Sequence, residues 1–204
     1  MYKKQMLFQR IICILVLVGS SLVFFYSLGM LTDLYDGLRQ AIPDATILDS
    51  DDPSGLGPKV AGARILYDMQ GFNRQLTTGA IILVLLGVFL LITNTHTRRR
   101  YYISNYIATC LAAAGGIGYS LWAVGEILSW KATYKAWIDF EKLETLAKMF
   151  KFPFYDANHT FWFDAGVVVM IVYVVILALL VLNMIWKIVV MNAEKKLLEA
   201  GKEA

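Results

Sequence analysis

The chain has little charge and few of the residues that site chemistry draws on. Only 17% of its 204 residues are charged, and it holds two cysteines, two histidines and four prolines. Cys13 and Cys110 both fall inside apolar runs, so the polar segments contain no disulfide and C-x-x-C redox chemistry is excluded. Neither His96 nor His159 has a cysteine or second histidine at zinc-ligand spacing. G-x-S-x-G, H-E-x-x-H and Walker patterns are missing as well. A net charge of +3 without a long basic run argues against nucleic acid as a partner. No metal, cofactor or catalytic set is therefore expected.

Apolar residues are abundant. They make up 58% of the chain, and its mean hydropathy is +0.57, against about 45 to 50% apolar, glycine included, in soluble proteins. Four runs reach bilayer length, at about 7–31, 76–93, 103–125 and 161–186. A helix needs roughly 20 residues at 1.5 Å each to cross a hydrocarbon core about 30 Å thick. In lipid an isolated span satisfies its backbone only as a helix. The expected fold is all-α: a polytopic integral membrane protein in which residues 1–204 form a single domain of four transmembrane helices. Lys3, Lys4 and Arg10 give the first run the look of a signal peptide, but its apolar part exceeds a signal core and no A-x-A pattern closes it, so a retained span is expected.

Basic residues are densest at Lys3, Lys4 and Arg10, in the short link with Arg98, Arg99 and Arg100, and in the tail with Lys187, Lys195, Lys196 and Lys202. An even number of spans puts all three clusters on one side, which the positive-inside rule makes cytoplasmic. Residues 32–75 and 126–160 are then outward-facing loops, both termini are cytoplasmic, and the tail 187–204 is a helical extension. His96 and His159 fall on opposite faces. The first outer loop carries seven aspartates against Arg39, Lys59, Arg64 and Arg74, a net charge of −3. Short tails and loops without cysteine favour a bacterial cytoplasmic membrane.

Within the first outer loop, "DSDDPSGLGP" is built for turns, and the following "KVAGARILYDMQGFNRQ" suits a helix leading into the second span. Asp49, Asp51 and Asp52 resemble a calcium cluster, yet an EF-hand would need glycine and glutamate where the chain has Ser54 and Val60. In the second outer loop, Trp130, Tyr134, Trp137, Ile138, Leu143, Leu146 and Phe150 recur near helical spacing between charged residues. This predicts an amphipathic helix over 130–150, packed as a lid or lying in the interface. Asn158-His159-Thr160 matches a glycosylation acceptor and would lie outside.

Asp33 and Asp36 in "DLYDG" resemble the opening of the CDP-alcohol phosphotransferase motif, D-x-x-D-G-x-x-A-R, whose aspartates hold a divalent metal. After Gly37 the chain reads Leu38, Arg39, Gln40, Ala41, so the A-R pair and the later aspartates are missing, and the pair would face outward. The expectation is a polar turn where the first helix leaves lipid.

The third span is the most specific. Ala112, Ala114, Gly115, Gly116 and Gly118 form the small-x-x-x-small pairs Ala112/Gly116 and Ala114/Gly118, which let helix backbones approach closely in lipid. Tyr119, Trp122 and Glu126 follow at i, i+3 and i+7, near the outer boundary. Glu126 is a candidate transport or partner site, and Lys131 is its expected ion-pair partner. Asn183 is a polar residue placed to bridge helices.

The layout resembles claudin-like and tetraspanin-like proteins in topology alone, since their signature residues are absent, and this licenses no function. The expected function is a non-catalytic accessory or scaffold subunit of a larger membrane complex. Its partners would be membrane lipids and other subunits or further copies of itself, docked through small-residue helix packing and the aromatic outer loop. A transporter or channel component for a small solute is the alternative, and a membrane enzyme acting on lipid or quinone the second.

Overall fold

The computed structural model describes residues 2–41, 65–94, 103–150 and 156–200, with the backbone alone described at 2, 31–41, 66–67, 103–104, 146–147, 150, 198 and 200. The described residues are nearly all helical, with no strand among them. Its elements are α1 (Tyr2–Ala41), α2 (Ile65–Asp68), α3 (Gln70–Asn94), α4 (Ile103–Trp137), α5 (Phe140–Phe150) and α6 (Phe161–Ala200). Helices α1, α3, α4 and α6 are each long and apolar enough to cross a membrane, so the chain is a multi-pass membrane protein, as its four runs predict.

All four helices outrun the predicted spans. Helix α1 passes through Thr32, Asp33 and Asp36 to Ala41, so the expected polar turn is helix instead. Polar side chains do not stop a helix whose i→i−4 bonds can continue, and Gly37 costs only about 1 kcal/mol. The chain after Ala41 lies outside the described residues. Of the predicted helix leading into the second span, residues 59–64 lie outside the described residues, and from Ile65 on it is present: α2 and α3 run on almost without interruption, with Met69 and Asn73 amides donating to the Ile65 and Met69 carbonyls.

Helix α4 likewise continues past Gly125 to Trp137. The amphipathic helix expected over 130–150 is therefore two pieces, broken at Ile138 and Asp139. The Asp139 carboxylate accepts from the Lys142 amide at 3.0 Å, an N-cap contact that starts α5 afresh. Before α6, Asp156 holds a tight turn by accepting from the amides of Asn158 (2.9 Å) and His159 (3.1 Å).

The "DSDDPSGLGP" segment, His96, the three arginines at 98–100, the 151–155 part of the aromatic stretch and Gly201 lie outside the described residues. The described residues group into two compact units. One comprises Met1–Phe24, Gly79–Leu121 and Met170–Ala204, and the other Phe25–Thr78 and Trp122–Val169.

Candidate functional sites

In the first unit, helices meet where glycine leaves room for a ring. Tyr173 of α6 fills the space beside Gly19 of α1 and Gly116 of α4, where an added Cβ would stand 2.9 and 3.2 Å from its ring carbons. Gly79 of α3 faces the ring of Tyr119, and Gly87 approaches the Leu17 Cα. Of the two small-residue pairs, Ala112 and Gly116 are buried, together with Ala113 and Ser120. Ala114, Gly115 and Gly118 are exposed on another face of α4. A Cβ added at Gly118 would meet nothing within 4 Å, and one at Gly115 only Leu86 Cδ1 at 3.8 Å. One predicted pair thus closes the fold and the other is left on its surface.

The same unit holds a buried polar cluster that the sequence pattern does not single out as a site. Gln5 Nε2 donates to Gln9 Oε1 (3.0 Å) and Asn183 Oδ1 (3.2 Å). Gln9 Nε2 in turn donates to the Asn94 carbonyl (2.8 Å) and Asn94 Oδ1 (3.1 Å). Asn183 does bridge helices, and the chain of amides ties α1 to both α3 and α6. Lys187, grouped with the basic tail on sequence, is only 6% exposed, with its ammonium 4.8 Å from the Tyr106 ring centroid. The Tyr106 hydroxyl lies 2.7 Å from Met191 Sδ. The signal was present: buried Tyr173, Leu177, Leu180, Asn183, Lys187 and Val190 recur every three or four residues, so Lys187 falls on the bundle-facing stripe of α6. Such groups hold helices together in lipid.

The second unit is organised by rings. Tyr134 is 2% exposed and packs on Phe140 and Phe163, with centroids 5.4 and 5.7 Å away, and its hydroxyl donates to the Asp156 carbonyl at 3.3 Å. Leu143 of α5 is buried too. Tyr26 donates to the Trp162 carbonyl (3.0 Å) beside Gly166, where a Cβ would collide with its ring. Of the predicted aromatic and apolar stripe, Tyr134 and Leu143 are thus buried, while Trp137 is exposed, as is Phe161 beyond it. Trp122 tilts against Phe72 at 5.9 Å.

Glu126 is half-buried on α4 and makes no ion pair among the described residues. The expected partner, Lys131, instead pairs with Asp164 in the first turn of α6, at 2.5 Å. Asp164 also accepts from the Thr160 hydroxyl at 2.8 Å. Asp156 is held below the usual carboxylate range, chiefly by its hydrogen bond with His159 and then by the Asn158 amide. Asn158 is exposed. The side chains of Asp33 and Asp36 lie outside the described residues, and no group of three His, Cys, Asp or Glu among those described is placed to hold a metal.

Comparison with protein-family models, with curated proteins and with solved structures found no match. The fold defines a class, the multi-pass helical membrane proteins with four candidate spans. What the chain does within that class rests on its own residues.

Proposed function

We propose that the chain is a non-catalytic accessory or scaffold subunit that docks a helix of another membrane protein, in a bacterial cytoplasmic membrane with both termini cytoplasmic. The exposed small-residue face of α4, formed by Ala114, Gly115 and Gly118, carries the reading. Against lipid a bare glycine gains nothing over leucine. Against a second helix it permits close backbone approach and the dispersion contacts that drive association in a bilayer. The orientation is supported by the three basic clusters and the net negative first outer loop.

The test is extraction in mild detergent, native electrophoresis and mass spectrometry of whatever co-migrates at fixed stoichiometry. Wild type should run as a heteromeric band. Gly118→Leu should remove the partner while leaving the subunit's own unfolding unchanged, since the added side chain meets nothing within 4 Å at its root. A lone wild-type monomer, or a band indifferent to Gly118→Leu, defeats the proposal.

A second reading, a transporter component, is favoured by Glu126, which is half-buried while Lys131 is engaged by Asp164. On that reading Glu126→Gln abolishes solute uptake into proteoliposomes. Retained uptake removes Glu126 from any transport step.

A further inference from the structure

Helix α1 carries no carboxylate before Asp33, and its exposed residues in the first turns are Lys3, Lys4, Leu7, Arg10, Ile11 and Ile14. Lys3, Leu7, Arg10 and Ile14 recur at intervals of four, three and four, so they form one stripe along the helix. Arg10 stands about 10 Å along the axis from Lys3, between Leu7 and Ile14, which are 61% and 51% exposed. If α1 enters the bilayer near Leu7, where its apolar run begins, Arg10 stands at the edge of the acyl chains. A guanidinium there is costly unless its long stem carries the charge back to the headgroups. Phe8 meets the exposed Trp186 ring at 5.6 Å on the same end of the molecule, and tryptophan settles at headgroup depth.

We propose that this stripe is a binding site for an anionic phospholipid. Lys3 and Arg10 grip its phosphate from either side, and its chains lie along Leu7, Ile11 and Ile14. Charge selects this occupant: two cations with no neighbouring carboxylate on α1 favour a lipid of net negative charge over a zwitterionic one, whose ammonium they repel.

The experiment is native mass spectrometry of the full chain in detergent, titrated separately with dioleoylphosphatidylglycerol and dioleoylphosphatidylcholine. Wild type should retain the former selectively. The Lys3→Gln/Arg10→Gln variant should bind it roughly thirtyfold more weakly, each basic residue at the surface contributing about a factor of five. Lys195→Gln/Lys196→Gln, altered on α6, should bind it as wild type does. Equal retention of the two lipids by wild type overturns the proposal, as does undiminished binding by the Lys3/Arg10 variant or a matching loss in the α6 variant.

Discussion

Gly79→Val should destabilise the protein more than Gly116→Val does, read as an early transition when the detergent-solubilised protein is heated. A Cβ at position 79 falls onto the ring of Tyr119, with three ring carbons among its nearest neighbours. A ring is flat and rigid, so it cannot yield by a methyl rotation, and Tyr119 sits half-buried in the middle of α4. At Gly116 the closest atom to an added Cβ is Leu177 Cδ1 at 2.5 Å, the far end of a flexible side chain. Overpacking costs typically about 1 to 3 kcal/mol, and valine adds two γ-methyls to an already blocked site, so the upper end applies at Gly79. Against a total stability on the order of 5 to 15 kcal/mol that is a large share. Gly79→Val/Tyr119→Ala should recover much of the loss, giving a coupling of about 1 kcal/mol or more in a double-mutant cycle. Additive losses, or a valine variant as stable as wild type, would mean that α3 and α4 do not meet at this pair.

The four spans were legible because length and apolarity are the whole requirement for crossing lipid, and runs such as 161–186 state both openly. The ends of the helices were not. Asp33, Asp36 and Glu126 mark a change of surroundings, but a helix ends only where its backbone is diverted, as at the Asp139 cap. An aspartate looks the same whether it caps a helix or sits on its surface, which hid the break inside the predicted 130–150 helix. The two pairs in α4 share one spacing, so the sequence could not say which is spent on internal packing. That depends on where Tyr173 and Leu177 of α6 arrive, near Gly116 and not Gly118. Asp164 as the partner of Lys131 was equally hidden, because 33 positions separate them along the chain. Lys187 was obscured for a different reason: a lysine beside the tail reads as solvated until its helical phase is followed back to Asn183.

Gln9→Leu should destabilise the protein by about 3 kcal/mol, more than Gln5→Leu, although both glutamines are equally buried at 2% exposure. Interhelical hydrogen bonds in membranes contribute on average only about 0.6 kcal/mol each, so counting lost bonds would rank the two together. The difference lies in what each leaves behind. Gln5 donates to two side-chain amide oxygens, Gln9 Oε1 and Asn183 Oδ1, and side chains can turn to other donors. Gln9 donates to the main-chain carbonyl of Asn94, the last residue of α3. The final carbonyls of a helix have no partner within it, and this one cannot turn away without unwinding the turn that carries it. Asn94 is itself buried, so removing its donor strands an acceptor away from water, at about 1 to 3 kcal/mol in addition to the lost bonds. The same reasoning makes Gln9→Leu/Asn94→Leu no better than Gln9→Leu, because the orphaned group is backbone and survives the second substitution. Equilibrium unfolding by titration from mild detergent into dodecyl sulfate measures all three variants on one scale. If Gln5→Leu proves the costlier change, or the double variant regains wild-type stability, the end of α3 is satisfied by water and Gln9 is not its cap.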